Sequence, residues 1–194
     1  MPYENGMENL KSSPCDRRRF LKLGLAAAAG LALPVTTWAR LPEFKLPERT
    51  LSLYNIHTGE TLRKAVYWAE GVYVPETLAE INHLLRDHRS NKVKKIDPRL
   101  CDLLFALRRR LEEKDPVHII SGYRSPETNA QLRKASSGVA KHSLHMEGKA
   151  ADISLPGRDL GILRKAALGL KVGGVGYYPK SGFVHVDTGK VRSW

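Results

Sequence analysis

Two short segments constrain this chain more than any other feature. They are Ser143-Leu-His145-Met-Glu-Gly148-Lys-Ala150-Ala-Asp152 and, further along, Phe183-Val-His185-Val-Asp187. A His, an Asp and a second His are three side chains able to bind zinc, and three protein ligands leave a fourth position open for water. A fold that used them together would have to bring both segments to one place. No CxxC pair occurs, so a structural zinc finger is excluded. The seven-residue separation of His145 from Asp152 is not a helical i, i+4 pair. It suits one ligand at the end of a loop and another on the strand returning beneath it. Gly148 would permit the tight passage between them, and Ala150 keeps the neighbouring face small. Period-2 geometry then puts Phe183, His185 and Asp187 on one face of a strand. Asp187 would share the cavity of His185, either to orient that ring or to accept a proton.

The remaining pattern predicts the frame for such a site. Residues 40–48, with Pro42 and Pro47, read as an extended lead-in. Leu51 to Asn55 alternates as a half-buried strand, His57-Thr-Gly-Glu60 turns, and Leu62 to Trp68 returns, making a hairpin. Pro75-Glu76 opens a helix expected to run to about Arg89, and Asp97-Pro98 opens another with the stripe Leu100, Leu103, Leu104, Leu107 and Leu111. Val117 to Ile120 is a short strand leading into the turn-rich Ser121-Gly-Tyr-Arg124-Ser125-Pro126. Glu127 to Ala135 and Leu160 to Leu168 read as helices. Lys149 to Leu155, residues 173–178 and Phe183 to Asp187 read as strands. This order predicts an α+β fold, a small antiparallel sheet flanked by helices with the zinc site on the sheet. His57 reads as a surface turn residue, and His83 and His88 as solvated or packed ones.

Residues 1–39 form no part of that fold. Asp16-Arg-Arg-Arg-Phe-Leu-Lys22 reads as a twin-arginine export signal, followed by an apolar run from Leu23 to Leu33 and a small-residue site ending at Ala39. Eleven apolar residues are too few to span a bilayer, which needs roughly 20. Cleavage after Ala39 would leave a single periplasmic domain, 40–194, with no stable membrane insertion. That domain keeps +10 of the chain's formal charge of +12. It would be drawn to polyanions such as a carboxylate-bearing cell wall, or simply carry a solvated basic surface. Nucleic acid is not an expected partner, since no helix-turn-helix, finger or single-strand-binding signature is present. Cys101 is the one cysteine left after cleavage. It sits in an apolar helical stripe, as an inert buried thiol does.

The combined motifs resemble those of the zinc D-alanyl-D-alanine carboxypeptidase and murein endopeptidase group. Its S-x-H-x-x-G-x-A-x-D pattern is matched from Ser143 to Asp152, its S-G-Y-R-S loop from Ser121 to Ser125, and its late-strand His by His185. Within the group the likeness is greatest to exported murein endopeptidases. It adds the hairpin Leu53 to Glu60, the run G-G-V-G-Y-Y-P and the ending F-V-H-V-D-T-G, and so covers essentially all of residues 40–194. The resemblance implies the fold that this group shares with hedgehog-type domains. It implies Zn2+ held by His145, Asp152 and His185, and Arg124 facing the scissile carbonyl, where a permanently charged guanidinium can hydrogen-bond a developing oxyanion. The implied activity is hydrolysis of peptidoglycan cross-links by a metal-activated water.

One departure bears on the base. Many relatives place Glu three residues before the last ligand or His two before it; here those positions hold Gly182 and Phe183. Asp187 becomes the candidate by the shared-face argument. Glu147, two residues from His145, is second; His142 reads first as an exposed loop residue and otherwise as a proton shuttle. Tyr177 and Tyr178 are candidates for substrate contact, or core residues. Two other readings stand beside the endopeptidase: a D-alanyl-D-alanine carboxypeptidase trimming free stem peptides, and a zinc-bearing wall-binding module without activity.

Overall fold

The computed structural model of the chain describes residues 47–136 and 138–194. The export segment and most of the lead-in expected above lie outside them. In chain order the elements are β1 (Glu48–Asn55), β2 (Thr61–Ala69), β3 (Val72–Tyr73), α1 (Pro75–Leu84), α2 (Pro98–Arg110), β4 (Val117–Ser121), α3 (Pro126–Ala135), β5 (Ala150–Ser154), α4 (Leu160–Leu170), β6 (Gly174–Tyr178), β7 (Phe183–Asp187) and β8 (Arg192–Ser193). Two 3-10 turns, Leu144–Glu147 and Pro179–Ser181, sit among them. No helix of the described residues is long and apolar enough to cross a membrane.

The strands make one eight-stranded sheet in the order β3-β2-β1-β4-β5-β7-β6-β8. The α+β class matches the expectation, but the sheet is neither small nor wholly antiparallel. β1 pairs with β4, and β6 with β8, in parallel. Both parallel pairs join strands distant in sequence, and β3 and β8 are two residues each. Such pairs leave no alternation for a sequence pattern to show.

The helices begin where residue chemistry says they should. Asp97 caps α2 by accepting from Arg99 N at 3.0 Å, with Pro98 in the first turn. Leu100, Leu103, Leu104 and Leu107 of α2 are buried against Leu51, Leu53, Ile119, Ile153, Val184 and Val186 of the sheet and Leu163 and Leu170 of α4. Cys101 is buried in the same helix, and burial pushes its thiol pKa up.

α1 stops at Leu84, well before Arg89. Beyond it the backbone is claimed by other partners. Leu85 O accepts from Tyr123 N at 2.7 Å, and Asp87 turns the chain by accepting from Arg89 N, at 3.0 Å, and from Ser90 N and Oγ. An Asp offering these local bonds competes with helix continuation.

Strand register decides what faces where. β5 and β7 pair so that Ile153 lies opposite Val184 and Ala151 opposite Val186, and all four belong to the core. The intervening pair, Asp152 opposite His185, points to the other face. The core therefore occupies one face of the central sheet, and the paired polar residues occupy the other.

Candidate metal centre

Three segments assemble the site. β5 supplies Asp152, β7 supplies His185, and the 3-10 turn Leu144–Glu147 supplies His145. That turn starts with Ser143, whose hydroxyl accepts from His145 N, and ends at Gly148 with φ +68°. A side chain at Gly148 would be strained by that φ and would also press to within 2.6 Å of Lys95 O. The tight passage expected at this glycine is present.

The three side chains converge. His145 Nε2 stands 3.1 Å from His185 Nδ1, Asp152 Oδ1 is 2.9 Å from His185 Nδ1, and His145 Nε2 is 3.2 Å from Asp152 Oδ1. The other nitrogen of each ring settles where its proton lies. His145 Nδ1 is 2.7 Å from Gly122 O, and His185 Nε2 is 3.1 Å from Asp187 Oδ2. A carbonyl and a carboxylate only accept, so those nitrogens carry the hydrogens and donate. The facing atoms, His145 Nε2 and His185 Nδ1, are then lone pairs in the neutral rings. With both rings neutral, two lone pairs and a carboxylate oxygen point at one another with no hydrogen among them.

That arrangement is unfavourable by itself and fits a cation. In a tetrahedral zinc site with bonds of about 2.0–2.1 Å, donor atoms stand about 3.3 Å apart. The three contacts are close to that spacing, and His145, Asp152 and His185 could hold a metal ion. Electrostatics agrees. Burial would raise the Asp152 pKa, but His145, His185 and Arg124 outweigh it and hold the carboxyl well below the usual range. Burial lowers the His145 pKa. At His185 burial is overcome by hydrogen bonds to Asp152 and Asp187, and the pKa rises, so a proton competes for the place of a cation.

Every residue of the Ser121-to-Ser125 loop has a hydrogen-bond partner. Ser121 Oγ accepts from Arg124 Nε at 2.8 Å, and Gly122 O fixes the His145 ring. Tyr123 N bonds Leu85 O, and Arg124 N donates to His145 O at 3.2 Å. Ser125 N donates to Asp87 Oδ2 at 2.9 Å, while its hydroxyl caps α3. The Arg124 side chain donates through Nη2 to Asp152 Oδ2, the oxygen facing away from the histidines. Its Nη1 has no hydrogen bond among the described residues, and the guanidinium lines the adjoining cavity.

The cavity measures about 310 Å3, and its lining includes His142, His145, Asp152, Tyr178, His185 and Trp194. Neither carboxylate expected as a base borders it. Asp187 is wholly buried. Its Oδ1 accepts from Gly174 N and Gly189 N, both at 2.8 Å, and from Arg192 Nη1 at 3.1 Å; its Oδ2 accepts from Arg192 Nη2 at 2.7 Å and from His185. Burial acts to raise its pKa, but those donors win and lower it. Glu147 is exposed, pairing with Lys149 Nζ at 2.7 Å. His142 does line the cavity. Tyr178 lines it too, stacked on Phe183 with centroids 4.7 Å apart, whereas Tyr177 packs toward the core. His57, His83 and His88 lie outside the cavity lining, with His57 stacked on His88 at 3.9 Å.

Arg192 and Trp194 carry no expected role, yet both border the cavity. The Trp194 indole lies 5.3 Å from the His185 ring and donates to Tyr178 Oη at 2.7 Å. Its seat is the bare backbone of Gly176, where a Cβ would come within 2.7 Å of the indole. The signal available in sequence was the glycine run 173–176, which reads as close backbone approach without naming what approaches.

Residues 45–194 match the model of a family described as peptidoglycan L,D-endopeptidase MepK, Peptidase_M15_2. The chain belongs to this peptidase family. The peptidoglycan L,D-endopeptidase MepK of Escherichia coli (strain K12) is 47% identical over 179 residues, covering 92% of this chain and 97% of that protein. A probable peptidoglycan L,D-endopeptidase MepK of Haemophilus influenzae is 41% identical over 180 residues, covering 92% and 95%. The match takes in every segment of the peptidase that builds the cavity.

Proposed function

We propose that this peptidase hydrolyses L,D peptide bonds of peptidoglycan at a zinc ion held by His145, Asp152 and His185. The observation that carries the reading is the convergence of two imidazole lone pairs and a carboxylate oxygen, each ring locked by an acceptor behind it. Two nitrogens and one oxygen suit zinc better than magnesium or calcium, which take oxygen ligands. When bound, such an ion supplies Lewis acidity toward a carbonyl oxygen and acidifies water.

The chain's own residues do the rest. Gly122 O and Asp187 hold the two rings in the tautomers that offer lone pairs. Arg124 keeps Asp152 ionised and turned toward the histidines through Oδ2. The unpartnered Nη1 of Arg124 faces the peptide carbonyl and donates to its oxygen as negative charge develops there. Neither carboxylate candidate for the base borders the cavity, whereas His142 does; we assign His142 the role of proton acceptor and assign Asp187 to positioning His185. We place the enzyme in the periplasm, delivered by the twin-arginine segment Asp16 to Lys22, with 40–194 as its single domain.

The test is digestion of purified cross-linked muropeptides, read by mass, alongside metal analysis of the same protein. Bound zinc near one per chain and release of monomers are expected, with His145→Ala and His185→Ala losing both. Full metal occupancy in the His185 variant would sink the ligand assignment. Cleavage confined to uncross-linked stem peptides would replace the endopeptidase by a carboxypeptidase.

A further inference from the structure

We propose that Arg192 is a specificity-determining residue, whose free guanidinium edge binds a carboxylate of the peptide substrate. The inference rests on the reading of the cavity as a peptide-binding site and adds what that peptide must carry.

The cavity is lined by Arg124, Arg192 and His142, and its only side-chain carboxylate among the described residues is Asp152. Both Asp152 oxygens are already engaged, one with the histidines and one with Arg124. The lining side chains thus present donors and cationic edges and no free acceptor charge. An anionic peptide fits such a cleft, and a cationic one does not. Stem peptides of peptidoglycan carry free carboxylates, on residue side arms and at their ends.

Arg192 is built for this contact. Nη1 donates to Asp187 Oδ1 at 3.1 Å and to Lys190 O at 3.0 Å, and Nη2 donates to Asp187 Oδ2 at 2.7 Å. These bonds use both Nη1 hydrogens and one of the two on Nη2. The Nε hydrogen and the second Nη2 hydrogen remain, and among the described residues neither has a partner. In a planar guanidinium these two lie parallel along one edge, the fork that accepts a carboxylate through two bonds. The side chain is 43% exposed while Asp187 beneath it is wholly buried, so the pair has one sealed end and one open end. The guanidinium carbon also lies 4.9 Å from the centre of the Trp194 ring, which fixes its plane. Because Asp187 and Trp194 already hold the group, binding costs little further side-chain ordering.

The experiment uses three synthetic peptides sharing one L,D bond: the free acid, the same peptide with its side-arm carboxylate amidated, and the same peptide with its terminal carboxylate amidated. Wild type, Arg192→Gln and Arg192→Lys are compared by kcat/KM, with bound metal measured on each sample. Wild type should prefer the free acid to one amide by about ten- to a hundredfold, mostly in KM, and the disfavoured amide identifies which carboxylate is read. Arg192→Gln should bring that ratio close to one. Arg192→Lys, with the charge but not the fork, should fall between. The ratio is internal to each protein, so a general loss of metal or activity through Asp187 cancels from it. If Arg192→Gln does not fold, the wild-type and Arg192→Lys ratios still decide. Equal cleavage of all three peptides by wild type would overturn the proposal while leaving the peptidase reading intact. So would an Arg192→Gln enzyme that keeps the preference. Failure of metal-loaded wild type to cleave any of them would overturn the peptidase reading, and the proposal with it.

Discussion

Asp187→Asn separates positioning from proton transfer. Five donors surround the Asp187 carboxylate: Gly174 N, Gly189 N and two nitrogens of Arg192, with His185 Nε2 as the fifth. Asparagine keeps one oxygen. Its best orientation leaves that oxygen with Gly174, Gly189 and Arg192 Nη1, and turns its NH2 against Arg192 Nη2 and His185 Nε2. Two donor–acceptor contacts become donor–donor contacts. Hydrogen bonds to charged groups are worth about 1.5–3 kcal/mol each, and partial exposure of Arg192 reduces its share, so a destabilisation of about 2–4 kcal/mol is expected. For a domain of this size that is a fall in Tm of roughly 5–15 °C. The second consequence concerns His185. Without an acceptor behind Nε2, the ring can move its proton to Nδ1, the atom that faces His145 and Asp152. Metal affinity should then drop by about ten- to a hundredfold. Affinity is read by competition with a chromogenic chelator, and turnover is read at saturating metal. Turnover should recover to within severalfold of wild type once the site is filled. A variant with normal metal affinity but a rate lower by a hundredfold or more at saturating metal would refute this reasoning and make Asp187 the base.

Three further outcomes follow from the same geometry. Arg124→Lys should retain metal within about tenfold yet lose rate on the order of a hundredfold, because one ammonium cannot both hold Asp152 and reach a carbonyl oxygen; an unfolded variant would mark Arg124 as structural instead. His142→Gln should leave metal content unchanged and slow hydrolysis by about a hundredfold, and an unchanged pH–rate profile with a normal rate would remove His142 as the proton acceptor. Asp87→Asn should destabilise the domain by about 1–3 kcal/mol near neutral pH. Burial acts to raise the Asp87 pKa, but hydrogen bonds from Thr128, Ser125 and Ser90 lower it. Its ionised form therefore stabilises the fold above the ordinary carboxylate range of about 4, and that contribution fades as pH falls further. The gap between wild type and variant in denaturant melts should narrow in acid, and a gap independent of pH would contradict this account.

Much of the site is legible before any coordinates. His145, Asp152 and His185 announce themselves because ligand chemistry needs those residue types, and a period-2 strand with a loop before it already says which of them can meet. The strands at 117–120, 149–155 and 183–187 and the start of each helix follow from apolar alternation, Pro and Asp, which act locally. The same local logic placed Asp187 on the face of His185, and it does lie there.

What that logic could not reach was what occupies each lone pair. Asp187 is surrounded by donors from Gly174 on the neighbouring strand and from Gly189 and Arg192 in the segment that follows it, and which of these reach the carboxylate depends on how the chain folds back on itself. Glu147 is two residues from His145, but the 3-10 turn carries it out to Lys149 and solvent. The group that orients His145 is the carbonyl of Gly122, and a backbone oxygen leaves no mark in a sequence. Arg192 and Trp194 reach the cavity only because β8 pairs in parallel with β6, beside glycines that leave room for them. Sequence determined which groups could carry the chemistry, since that depends on side-chain type and local period. The tertiary structure decided which of them is free to act, since that depends on which donors and acceptors the rest of the chain has already brought alongside.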